Sequence, residues 1–344
     1  MTERVPLSFD ATGLDDDVAE LLPRLASDDA ATRRIAVLAI ADLEDPSSID
    51  LLCAVLRDDA HATVRAEAAR VLASWESEGA VDALAHALLD TDEDVRNAAA
   101  HALAQCKDAR LASALVAWLD RPEAFVRASI FHALRELREP LAFEPALHAL
   151  RDVHANVRSE AVTVLGWLRD VRAIDALAHV LQSDDQAHVR HAASAALGLA
   201  PITDRRAVDA LLAALTDPEW LVRESAAATL GRIASRKDGQ PSSQRSTIAE
   251  ALIRALDDAY WQVRVQATRA LGRLRDPAAT HALTQALGHT ISNLRKDAAL
   301  ALGDIADQHA LPALEHACDD PDPEVRKAVR IAIAQIRVST GKVN

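Results

Sequence analysis

Residues 217–231 read DPEWLVRESAAATLG, and residues 257–272 read DDAYWQVRVQATRALG. The two stretches share an acidic turn, a Val-Arg pair, a run of small residues and a closing Leu-Gly. The pattern is not confined to them. Equivalent arginines stand at Arg33, Arg65, Arg96, Arg127, Arg158, Arg190, Arg223, Arg264, Arg295 and Arg326. Successive gaps are 32, 31, 31, 31, 32, 33, 41, 31 and 31 residues. A fixed period of this size is the mark of a repeat architecture, and it fills nearly the whole chain.

Within each unit the arginine sets a register. Three residues after it stands a small or aliphatic side chain, as at Ala68, Ala99 and Ala298, and seven after it a Leu or Ile, as at Leu72, Leu103 and Leu302. Offsets −1, +3, +7 and +10 share one face of a 3.6-period helix, so the arginine opens an amphipathic helix. Glycine recurs at offset +8, as at Gly198, Gly231, Gly272 and Gly303. Inside a helix it costs about 0.5–1 kcal/mol against alanine, which is tolerable where a neighbouring helix must come close. A shorter amphipathic helix precedes each of these, as in AVDALAHALL (80–89), AIDALAHVLQ (173–182) and AVDALLAALT (207–216). Asp108, Asp170, Asp276 and Asp307 stand where a residue caps its first turn.

Six residues before the arginine there is usually an aspartate: Asp59, Asp90, Asp152, Asp184, Asp217, Asp258 and Asp320. It falls in the turn between the two helices. The spacing predicts a ladder in which each arginine bridges carboxylates or carbonyls of its own or the adjacent turn. Among the units that follow the first, two break the rule, with Arg121 and His289 at the aspartate position, and the ladder is expected to weaken there.

The totals agree with stacked helices. The chain has 344 residues, 50% of them apolar but only 3% aromatic, with 10 glycines and 13 prolines. The repeat implies one array over residues 1–338, with a polar loop inserted at 235–247 (SRKDGQPSSQRST) and a short tail at 339–344. The N-terminal stretch has no apolar run of the signal-peptide kind, and no segment is apolar enough to span a bilayer. Cys53, Cys106 and Cys318 lie far apart and form no disulfide framework or zinc pattern, which favours small packing residues and a cytoplasmic location. The net charge of −14 lies wholly in residues 1–100, which hold 8 basic and 22 acidic side chains; residues 101–344 hold 30 of each. That end should repel phosphate backbones.

The signature D-x-x-x-x-V-R-x-x-A-x-x-A-L-G, clearest at 217–231 and 257–272, resembles the short HEAT-like repeats named after phycobilisome lyases. The resemblance covers about residues 15–337. It implies an all-α fold, a right-handed α-solenoid of about ten helical hairpins, whose second helices line a concave face. The repeat family includes bilin lyases and iron-dependent deoxyhypusine hydroxylases. The hydroxylases use His-Glu dipeptides at repeated positions, and this sequence contains none.

Function must then be sought in side chains that packing does not use. On the second helix these are offsets +1, +5 and +9 and the residues just before the arginine. Three zones emerge. The first is polar, with Asn97, His101, Gln105, His132 and Glu136; His101, His132 and Glu136 are the only candidates for a metal. The centre carries Trp167, His191 and Leu199. The third is basic, with Arg232, Arg269 and Arg273. Phe125, Trp220, Tyr260 and Trp261 stand beside the turns. Exposed Trp, Tyr and Arg dominate protein interfaces. Phe125, Trp167, His191, Leu199, Trp220, Arg232, Trp261, Arg269 and Arg273 are therefore expected to hold a partner peptide or domain.

No phosphate loop, nucleophile elbow or zinc spacing appears. The expectation is a non-enzymatic, protein-binding scaffold without a cofactor. The alternative is a cofactor- or metal-handling enzyme of the bilin-lyase or hydroxylase kind. The charge balance argues against nucleic acid.

Overall fold

A computed structural model describes residues 12–199, 204–234, 242–339 and 341. Among these the chain is all α, with no strand, and its twenty α-helices fall into ten antiparallel pairs. Residue contacts divide it into two compact units, Met1–Leu168 and Arg169–Asn344. The repeat runs through this division without a change of period, so the sequence gives no sign of it. Each unit is a stack of five hairpins. In the first unit the second helices are Ala30–Asp42, Ala62–Leu72, Glu93–Gln105, Ala124–Leu137 and Ala155–Leu168. In the second they are Ala187–Leu197, Trp220–Ala234, Trp261–Leu274, Ser292–Ile305 and Pro323–Ser339.

The core follows the register set by the arginine. Ala36, Ala68, Ala99, Ala161, Ala226 and Ala298, all at offset +3, are fully buried, as are Ile40, Leu72, Leu103, Leu134, Leu230 and Leu302 at offset +7. Small residues let second helices approach, and leucines fill the space behind them. Five of the first helices begin with a 3-10 turn capped by an aspartate. Asp108, Asp170, Asp276 and Asp307 each accept a hydrogen bond from the backbone N–H two residues on.

All ten arginines take the expected place. Each donates Nη1 to the backbone carbonyl six residues earlier, from Arg33 to Ser27 through to Arg326 to Asp320. Six also grip the aspartate of the following hairpin through Nε and Nη2: Arg33 to Asp59, Arg65 to Asp90 and Arg127 to Asp152 in the first unit, Arg190 to Asp217, Arg223 to Asp258 and Arg295 to Asp320 in the second. The Arg190–Asp217 bonds are 2.8 and 2.9 Å long. The same carboxylate accepts the N–H two residues on, as Asp217 does from Glu219 at 2.8 Å. One aspartate thus shapes its own turn and ties it to the preceding hairpin. Arg96 and Arg264 find no carboxylate, as their neighbours Arg121 and His289 require.

The expected loop at 235–247 is shorter than its composition suggests. Residues 242–247 form the first turns of the helix Ser242–Arg254, and the remainder lies outside the described residues. Ser, Gln and Thr are poor loop evidence when Ile248, Ala249 and Leu252 must be buried on the same helix. Arg245, in that stretch, donates to the carbonyls of Ala234 and Leu274, closing the ends of two second helices. In the tail, Ser339 still belongs to the last helix, and 340 and 342–344 lie outside the described residues.

Candidate binding face on the second helices

In the second unit the aromatic residues gather at the turn ends of two adjacent second helices. Trp220 opens one and Trp261 the next, with Tyr260 just ahead of it. The Trp220 and Tyr260 rings stack at 5.6 Å between centroids, with planes 9° apart. Tyr260 is placed by the ladder itself, because its backbone N–H bonds Asp258 at 2.8 Å and the Arg223 guanidinium lies 5.5 Å from its ring centre. Stacking half-buries Trp220. Tyr260 and Trp261 stay 46% and 44% exposed, and Leu221 beside them 45%.

The basic zone is partly neutralised. Arg269 pairs with Asp297 of the next hairpin at 2.9 Å, and that carboxylate is buried. Arg232 donates to Thr229 Oγ1 at 2.7 Å and lies over Gly198. Arg273 is exposed. His191 and Leu199 are half-buried, one within and one just past the helix Ala187–Leu197.

In the first unit Phe125 is 40% exposed, with the Arg96 guanidinium 6.0 Å from its ring centre. Trp167 is half-buried and carries Arg138 over its ring at 4.4 Å, so one of its faces is covered. His101 is exposed. His132 belongs to a polar network: Nδ1 lies 3.4 Å from Glu160, and Nε2 faces an Arg135 nitrogen at 3.0 Å. Glu136 is engaged by Arg135 at 3.1 Å, with Lys107 at 3.6 Å. Burial pushes the Glu136 carboxyl up, but Arg135 and Lys107 together hold it below its ordinary value. Both His132 nitrogens are thus committed. Among the described residues no group of three or more His, Cys, Asp or Glu side chains is placed to hold a metal ion.

Cys53 and Cys106 are buried, and burial pushes both thiols up, Cys53 to about 11. Nucleophilic chemistry needs a thiolate, which these environments disfavour.

Offset +2 holds the residues that the sequence reading passed over. Glu67, Glu160 and Asp297 stand there, each reaching back to the preceding hairpin: Glu67 to Arg34, Glu160 to His132, Asp297 to Arg269. The signal was present, since each of these acids follows a hairpin with a cationic or titratable side chain at offset +1 or +5.

Comparison with known proteins agrees with this construction. A model of HEAT repeats matches residues 18–104, 49–135, 112–198 and 249–334; a single HEAT repeat matches 207–236, and a PBS lyase HEAT-like repeat 192–217. The chain is 28% identical over 236 residues to deoxyhypusine hydroxylase-B of Oryza sativa subsp. japonica, covering 60% of this chain and 78% of that protein. Among solved structures it is similar to Kap95p, in a complex where Kap95p binding induces the switch loops of RanGDP to adopt the GTP-bound conformation, at 16% identity and a TM-score of 0.67. That match covers 95% of this chain and 50% of the other. It is similar also to the Kap95:Nup1 complex at 16% identity and a TM-score of 0.66, over 95% and 51% of the two chains. No helix of the described residues is long and apolar enough to cross a membrane. With HEAT repeat matches over more than half its length and ten helical hairpins to account for them, the chain belongs to the HEAT repeat family.

Proposed function

We propose that this protein is a binding scaffold that holds a partner polypeptide against the turn ends and exposed face of its second helices. One observation carries the reading. Among the described residues, the aromatic side chains left exposed are Phe125, Tyr260 and Trp261, and all three stand at the start of second helices. Packing does not need them there, because most other hairpins place Ala, Asn, His or an acid at these offsets. Aromatic residues of this exposure are what protein interfaces recruit. The structural likeness to Kap95p, with RanGDP and Nup1 named beside it, supports a protein partner over a small molecule.

The rice relative raises the other reading, a metal-dependent hydroxylase. The iron that such an enzyme implies does not fit the residues here. The chain has no His-Glu dipeptide, His132 is bonded through both nitrogens, and no described cluster gathers three ligands. Metal analysis of the purified protein tests this directly, and stoichiometric iron would overturn the preference for a scaffold.

A photo-reactive phenylalanine analogue placed at Trp261 tests the scaffold reading. Irradiation in the native host should give a discrete cross-linked adduct. The same analogue at Glu250, exposed on a first helix, should give little or none. No adduct at 261, or equal adducts at both positions, contradicts the proposal.

A further inference from the structure

The ladder identifies where on this face a specific contact is made. On the six intact rungs a guanidinium donates Nε and Nη2 to an aspartate of the next hairpin. Arg264 keeps the first half of this arrangement, with Nη1 on the carbonyls of Asp258 and Ala259 at 2.6 and 3.3 Å. The second half is missing. The position opposite holds His289, whose Nδ1 accepts the N–H of Ile291 at 3.0 Å and so shapes the turn as the aspartates do, but without their charge. The Arg264 Nε is enclosed and has no acceptor. Gln262 Oε1, two residues away, is likewise enclosed without a donor. A buried polar group left unpaired is costly, and a charged one more so.

A second, independent observation marks the same place. Tyr260 and Trp261, two of the exposed aromatic residues, sit on the hairpin that bears this unanswered arginine. The remaining one, Phe125, borders the other broken rung, where Arg96 faces Arg121 instead of an aspartate.

We infer that the broken rung at Arg264 is the docking point for a carboxylate side chain of the partner polypeptide, an Asp or Glu next to an apolar residue that rests on Trp261 and Tyr260. The inference deepens the scaffold reading and depends on it. Carboxylate is the matching chemistry because the guanidinium is held in the pose that grips aspartate two-handed on every intact rung. His289 is half-buried. The second unit holds 22 basic and 22 acidic side chains, so no broad positive field draws in a phosphate backbone, and recognition rests on this one cation.

The test uses the full chain and two fluorescein-labelled short peptides, one alternating Asp with Leu, the other alternating Asn with Leu. Fluorescence polarisation should show the Asp peptide binding about tenfold or more tighter than its Asn twin, and more weakly as salt rises. The substitution His289→Asp supplies the carboxylate from within the chain. It should leave the protein folded and cut the affinity for the Asp peptide by about tenfold or more. Arg264→Gln should do the same by removing the cation. Equal binding of the two peptides, no binding of either, or undiminished binding by His289→Asp overturns the inference. An adduct from position 261 that His289→Asp leaves unchanged overturns it too, while leaving the scaffold reading in place.

Discussion

An arginine at the start of a closely packed helix is costly unless its charge is answered, and here the answer comes from two turns at once. Arg190 and Asp217 are both nearly buried, with 11% and 8% of their side chains exposed. Breaking such a pair strands a charge. Asp217→Asn should therefore destabilise the protein by on the order of 3–5 kcal/mol, read as a fall in the denaturant midpoint; a change within error would mean that the rung contributes little. Acid attacks several rungs together. Burial pushes Asp90, Asp152, Asp217 and Asp258 up, but their arginines and the turn amides outweigh it and hold all four below the usual 3.8; at Asp320 the Arg295 bond is the leading cause.

 A depressed carboxyl stabilises the fold fully above the unfolded value and loses that contribution as pH falls through the folded value. Helicity followed by circular dichroism should hold down to about pH 4 and then collapse cooperatively, and an unchanged signal well below that would contradict the ladder's role. These rungs were legible in the sequence because the arginine and aspartate columns barely vary. The offset +2 pairs were not, because that column mixes Ile, Ala, Ser, Gln and acids and matters only where the preceding hairpin has a partner for it.

At the scale of the helix, the glycines at offset +8 show why the repeat is so poor in large residues. A Cβ added at Gly231 would meet Ala270 Cβ at 2.7 Å and its Cα at 2.8 Å, and one at Gly272 would meet Ala301 Cα at 2.9 Å. The neighbour in each case lies at offset +6 of the next hairpin, so the contact belongs to the stacking and not to one helix. Gly231→Ala gains about 1 kcal/mol of helix propensity and loses more to overpacking, typically about 1–3 kcal/mol. It should lower the melting temperature. Gly198→Ala meets the movable end of Arg232 as well as Thr229, and should cost less. A rise in melting temperature for Gly231→Ala would show that the helices have room to part. Helix positions were readable from the 3.6-residue period. The start of Ser242–Arg254 was not, since burial of Ile248 and Leu252 overrides the loop-like composition ahead of them.

At the scale of the whole chain, sequence and structure agree most where the demand is repeated and least where it occurs once. Ten hairpins follow from one register. The division into Met1–Leu168 and Arg169–Asn344 leaves that register untouched, so nothing in the spacing announces it. The candidate face was legible only as a list of unused positions. Which of these stay open depends on single contacts: Arg138 covers one face of Trp167, Trp220 stacks on Tyr260, and Asp297 answers Arg269. Of the aromatic residues, Phe125, Tyr260 and Trp261 remain open. Hydroxyl-radical footprinting of the protein in its native extract, set against the purified chain, asks most directly whether a partner covers them. The expected result is that these three side chains lose reactivity in the extract, while Leu141 and Val171, exposed ahead of first helices, keep theirs. Equal reactivity of all five in both samples would contradict a partner seated on the second helices.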